Sequence, residues 1–106
     1  SLMNTVTAIS GSGPAYVFLL IESLAAAGID MGLSRELAAE LALATVAGAS
    51  VLAINSEVDP AELRRQVTSP GGTTEAALAV LMDNNALLEL MKEAVHAATE
   101  RGQDLA

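Results

Sequence analysis

The stretch QVTSPGGTTEAAL, Gln66 to Leu78, crowds hydroxyls and glycines around a single turn. Pro70-Gly71-Gly72 forms that turn, hydroxyl residues flank it, and a helical pattern begins immediately afterwards. Such an order of residues aims unpaired amides, the positive end of a helix dipole and several hydroxyls at one point, which is what a carboxylate or phosphate needs. No charged side chain lies between Gln66 and Thr74, while Arg64 and Arg65, two of the five basic residues, stand just upstream. A second reading fits the same residues: an ordinary helix–helix turn with Thr73 or Thr74 as its N-cap.

A second glycine-rich stretch, TAISGSGPAY from Thr7 to Tyr16, contains Gly11-Ser12-Gly13, two thirds of a dinucleotide fingerprint. The full fingerprint needs a third glycine where this sequence has Tyr16, a preceding strand, and an acidic residue about 20 positions on within a βαβ unit. Pro14 stands where a phosphate loop would turn, and no Gly-Lys-Ser/Thr follows to make a P-loop. The stretch therefore reads as a glycine-rich entry into a helix, its small residues serving close backbone packing or the approach of a ligand. Packing is the reading that the sequence alone favours.

Other reactive residue types have plainer explanations. His96 has Lys92 one turn before it and Glu100 one turn after, which places it on the solvated face of the last helix, and no paired ligand set accompanies it to hold a metal. Met3, Met31, Met82 and Met91 read as core or interface filler. Glu22 and Glu36 read as solvated, or paired with an arginine at the edge of a dimer, and Glu57 as a surface loop acid.

The elements that position these motifs are helical. No strand-like alternation of useful length is visible, and five helical segments are predicted: Pro14 to Ala27 with Gly28 as a left-handed stop, Arg35 to Ile54 after a Ser34 N-cap, a short one opened by Asp59-Pro60 with Glu62 in a capping box, one following Thr73 or Thr74 and ending near Asp83, and Ala86 to Arg101. From Leu41 to Ile54 there is no charged residue, so that helix demands burial on nearly every face. A membrane span is one reading, although a run of this length is more often a buried core helix. Tyr16 to Ile21 crosses more than a turn without a polar break. A chain of 106 residues encloses too little interior for two such helices, which points to a second copy covering them. Ala44, Gly48, Ala49 and Ala53 would allow backbones to approach closely there.

Composition narrows the function. The length suits one domain; apolar residues make up 52% and aromatics 2%, so the core is built from Ala, Leu, Val, Ile and Met. Thirteen acidic against five basic residues give a net charge of -8, which opposes nucleic acid and anionic membranes as partners. The absence of Cys excludes disulfides and thiolate chemistry, and with no secretory signal in view a cytoplasmic location is expected. Ser1-Leu2 ahead of Met3 reads as a cloning remnant.

Taken together, TAISGSGPAY, AGIDMGLSRELA (Ala27 to Ala38) and LRRQVTSPGGTTEAAL (Leu63 to Leu78), in this order and spacing, resemble the C-terminal domain of pyrroline-5-carboxylate reductase over nearly the whole chain. The resemblance implies an all-α fold, a helical bundle like the C-terminal domain of 6-phosphogluconate dehydrogenase-like reductases, interlocked with its twin as a homodimer that in some members builds larger rings. It implies residues 1–106 as a dimerisation and substrate-binding domain whose N-terminal Rossmann partner is absent, so that the isolated chain is expected to be inactive. By the same resemblance Val67, Ser69, Gly71, Gly72, Thr73 and Thr74 receive a small carboxylate, with Ser69 and the amides around Gly72 and Thr73 as anion donors. Thr74 would set its hydroxyl on the ring nitrogen of the imine as the catalytic hydrogen-bond partner. Ser10, Gly11 and Ser12 would lie near the nicotinamide of NADPH or NADH. A purely structural helical dimerisation module without catalysis remains the competing expectation.

Overall fold

The computed structural model describes residues 2–106, all of whose regular elements are helical; the proposed remnant Ser1 lies outside the described residues, and Leu2 already belongs to the first helix. The elements are α1 (Leu2–Val6), a π-helical turn (Thr7–Gly11), α2 (Gly13–Asp30), α3 (Arg35–Asn55), α4 (Pro60–Gln66), α5 (Thr73–Leu81), a 3-10 turn (Asp83–Asn85) and α6 (Ala86–Leu105). They fall into two compact units, residues 14–60 and residues 2–13 with 61–106.

In the first unit the corner between α2 and α3 is dictated residue by residue. Gly32 adopts φ +106, its N–H donates to Ile29 O at 3.0 Å, and the Leu33 N–H donates to Gly28 O at 3.0 Å, the paired bonds that close a helix around a left-handed glycine. The expected stop at Gly28 is therefore displaced by four residues. Gly28 stays helical and instead gives room: a Cβ there would sit 3.2 Å from Leu33 Cδ1 and 3.5 Å from Ala38 Cβ. Leu33 thus folds back over the end of α2, and it and Ala38, at the N′ and N4 positions of a hydrophobic staple, both close on Gly28. Ser34, with extended backbone, accepts the Leu37 N–H on its Oγ at 3.2 Å, as its predicted N-cap role requires. Ala38 and Ala42 are buried at this corner. Ser34→Ala should cost about 1 kcal/mol of stability, measurable as a lowered urea midpoint with an unchanged slope.

The rest of this unit does not cover its own apolar surface. Phe18, Leu19 and Leu20 on α2 and Leu43, Val51, Leu52 and Ile54 on α3 are all exposed. Gly48, in the middle of α3, has nothing within 4 Å of a notional Cβ. A mid-helix glycine costs about 0.5–1 kcal/mol relative to alanine, and no contact within this chain offsets that.

In the second unit α1, the π-turn, α5 and the 3-10 turn all pack on α6. Gly102 admits α1: a Cβ there would lie 3.1 Å from Asn4 Oδ1. Ala8, on the π-turn, is the buried residue of this packing. The predicted helix start at Gly13-Pro14 is where α2 opens, while the short α1 and the π-turn ahead of it were not anticipated. Pro14 explains the widened turn. A proline in a helix lacks the amide for the preceding turn and its ring crowds the carbonyl four residues back, and the i→i−5 bond from the Ser12 N–H to Thr7 O, 2.9 Å, loosens the backbone just ahead of it.

Two consecutive left-handed asparagines, Asn84 at φ 52 and Asn85 at φ 57, turn the chain from α5 into α6, a conformation that asparagine tolerates better than most residues. α6 runs four residues past its predicted end at Arg101 and carries an exposed ion pair, Glu89–Lys92 at 3.3 Å, and a side-chain contact between His96 Nε2 and Glu100 Oε1 at 3.1 Å. His96 is thus a solvated partner of Glu100, as its spacing predicts.

Candidate functional site

The loop from Val67 to Thr74 is built by two short-range devices. The Thr68 hydroxyl donates to Arg64 O at 2.6 Å and its N–H to Arg65 O at 3.1 Å, which ends α4 and leaves this hydroxyl no proton to donate to an anion. The Gly72 N–H then donates to Ser69 O at 3.1 Å, closing a turn in which Gly71 holds φ +73. A Cβ on Gly72 would sit 3.2 Å from Ser69 O, a backbone atom with little freedom to yield.

Gly72 is the N-cap of α5, and no side chain caps it. The expectation of Thr73 or Thr74 as N-cap is corrected: both lie in the first helical turn, Thr73 exposed and Thr74 half-buried. The first backbone bond of α5 runs from the Ala76 N–H to Gly72 O at 3.3 Å, so the amides of Thr73, Thr74 and Glu75 precede the helical ladder and have no partner within it. The turn's glycines and α5 therefore make a cap whose side-chain oxygen is missing for a steric reason. An external carboxylate oxygen placed there would accept what a serine or aspartate N-cap accepts elsewhere.

The donor set differs from the one expected. The Gly72 amide is spent on Ser69, and the Gly71 amide donates to Glu75 Oε1 at 3.0 Å, so neither glycine offers its N–H to a ligand. What they contribute is shape, while the donors are the Thr73, Thr74 and Glu75 amides with the hydroxyls of Ser69, Thr73 and Thr74 beside them. Glu75 was not among the expected site residues. Its signal was present in the sequence, since Gly72-x-x-Glu75 has the spacing of an N-cap and the acid that reaches back to it. Gly72→Ala should displace the Ser69 turn by a few tenths of an ångström and disturb the first amides of α5; the Thr73 and Thr74 amide resonances, compared with those of the unmodified protein, measure this.

Ser10, Gly11 and Ser12 occupy the π-turn and its C-terminal edge, in the same unit as the loop and also against α6. Ser10 Oγ donates to Val6 O at 2.9 Å and the Ser12 N–H is bound to Thr7 O, so this segment has no free amide cradle for a pyrophosphate. A Cβ on Gly11 would touch Thr7 Cγ2 at 3.2 Å, which supports the packing reading there, whereas Gly13 has open space around it.

Exposed apolar helices that need a partner define an all-helical association domain, in which an amide-rich turn opens α5. This chain belongs to the pyrroline-5-carboxylate reductase dimerisation family, whose pattern it matches over residues 1–105. It is 52% identical over 104 residues to the pyrroline-5-carboxylate reductase of Pseudomonas aeruginosa, covering 98% of this chain and 38% of that protein, and 50% identical to that of Synechocystis, covering 99% and 39%. Among solved structures it is similar to a pyrroline-5-carboxylate reductase from Coxiella burnetii, with TM-score 0.94, 45% identity and coverage of 99% of this chain and 38% of that one. It also resembles the Plasmodium falciparum pyrroline carboxylate reductase solved with NADP bound, with TM-score 0.89, 43% identity and coverage of 94% and 39%. The chain thus spans about two fifths of the length of these relatives.

Proposed function

We propose that this chain is the dimerisation and substrate-loop part of a cytoplasmic pyrroline-5-carboxylate reductase, the enzyme that reduces 1-pyrroline-5-carboxylate to proline with NADPH or NADH. The observation that carries this reading is the sterically enforced uncapped start of α5, within a chain that matches the reductase family along its whole length. The substrate carboxylate receives the Thr73, Thr74 and Glu75 amides, Ser69 lies alongside, and Val67, 69% exposed, offers an apolar surface to the ring. The Thr74 hydroxyl orients the imine through its nitrogen. Positioning is the contribution of these residues; the hydride comes from a nicotinamide cofactor held by a nucleotide-binding part beyond this chain, with Ser10, Gly11 and Ser12 near its reactive ring.

The same reading assigns the exposed helices to a homodimer. The chain leaves 8128 Å² accessible, against about 5,500 Å² for a folded monomer of 10.8 kDa. By length and composition α3, with a mean hydropathy of 2.0 over its most apolar window, also suits a bilayer. Gly48, open on a mid-helix face, favours close approach of a second helix, and the family is one of dimerisation domains.

The test is pyrroline-5-carboxylate-dependent oxidation of NADPH. A reductase carrying this sequence joined to a nucleotide-binding domain is expected to turn over, and the isolated chain is not. Failure of the joined protein, with both parts folded, would leave a structural dimerisation module.

A further inference from the structure

We propose that the side chain of Glu75 is a positioning group for the substrate loop, acting through Gly71, while its backbone amide stays among the donors of the carboxylate site. The inference rests on the reading of the loop as a carboxylate site. In an ordinary capping box the acid three residues into a helix accepts the N–H of the N-cap residue, while the N-cap side chain serves the helix in return. Here the N-cap is Gly72, whose own N–H is committed to Ser69 O at 3.1 Å. Glu75 therefore reaches one residue further out and takes the Gly71 N–H on Oε1 at 3.0 Å.

That bond falls on the most deformable residue of the loop. Gly71 holds φ +73 with nothing within 4 Å of a notional Cβ, so no neighbouring side chain fixes its conformation. The Ser69–Gly72 turn on one side and the Gly71–Glu75 bond on the other clamp both peptide units that precede Thr73. Without the Glu75 carboxylate the Pro70-Gly71 peptide is free to rotate, since glycine populates both halves of backbone space, and the Ser69 turn and the Thr73 amide that follows it lose their fixed aim. The chemistry at the ring nitrogen is untouched, because Thr74 stays on the rigid first turn of α5. The expected signature is an effect on substrate affinity more than on turnover.

The experiment compares Glu75→Ala and Glu75→Gln in the full-length reductase carrying this sequence, with 1-pyrroline-5-carboxylate varied at saturating NADPH. Glutamine keeps an acceptor oxygen at the same reach and alanine does not. Loss of one hydrogen bond to a charged group should raise KM about tenfold in Glu75→Ala, with kcat within about twofold, and Glu75→Gln should restore most of the affinity. The Gly71 amide resonance should move in the alanine variant and not in the glutamine variant, which reads the bond itself in folded protein. An unchanged or lowered KM in Glu75→Ala would overturn the proposal, the lowered value meaning that the carboxylate competes with substrate. So would equal defects in both variants, which would assign the effect to charge. An unmodified enzyme without pyrroline-5-carboxylate turnover would instead remove the reading of the loop on which the inference stands.

Discussion

Thr74→Ala is expected to lower turnover about 10- to 100-fold in the assembled reductase, the range for losing one hydrogen bond to a group that carries charge, while the unfolding midpoint hardly moves. Two structural facts separate the effects. Thr74 stands in the first turn of α5, where its hydroxyl caps nothing because Gly72 is the N-cap, and alanine is a better helix former than threonine at that position. The folded state therefore loses no structural hydrogen bond that the substitution could remove. Thr73→Ala is the control. Thr73 shares the turn and the hydroxyl but is more exposed, and it should weaken substrate binding by only a few-fold. Steady-state kinetics on both variants, with thermal scans alongside, check the pair. A Thr74→Ala enzyme with unchanged kcat would remove its assigned role on the ring nitrogen.

Leu52→Asp should have the largest effect of any single change, and it falls far from the loop. In the lone chain Leu52 is 66% exposed, and a polar substitution at such a position is ordinarily worth no more than about 0.5 kcal/mol. In an intertwined pair the same residue lies on a helix covered by its twin, where an unpaired carboxylate costs several kcal/mol. The two accounts therefore differ by orders of magnitude in the association constant. The expected result is dissociation to single chains with loss of cooperative unfolding, read by light scattering after size exclusion and by denaturant titration. Glu93→Gln, on the exposed face of α6, is the matched surface change and should leave the pair intact.

The sequence made the helical architecture legible where end signals are chemically explicit. Ser34 and Asp59-Pro60 mark starts that the structure places within a residue, because a hydroxyl acceptor or a fixed proline φ acts locally. Gly28 misled because two glycines stand four residues apart in AAAGIDMG, and either could end the helix; the choice of Gly32 depends on Leu33 folding back onto the space above Gly28, a contact that periodicity does not encode. Gly13-Pro14 marks the start of α2 as expected, but α1 and the π-turn ahead of it were not legible, since a proline that opens a helix gives no sign of helical backbone before it. The loop was recognisable by its residue types. Its hydrogen bonding was not, since which amides are spent depends on the Ser69–Gly72 turn and on Glu75 reaching past the cap. The fully apolar face of α3 pointed correctly to missing burial, and the structure gives that demand its extent: Ala8, Ala38 and Ala42 make up the buried apolar core among the described residues.

A second copy of the chain closing over α2 and α3 is what the proposed function requires most, and the mass of the unmodified chain tests this directly. Sedimentation equilibrium in detergent-free buffer at micromolar concentration should give twice the 10.8 kDa of one subunit, or a higher even multiple, with no lighter species on dilution. A stable, soluble 10.8 kDa particle under those conditions, with its exposed leucines unshielded, would contradict it.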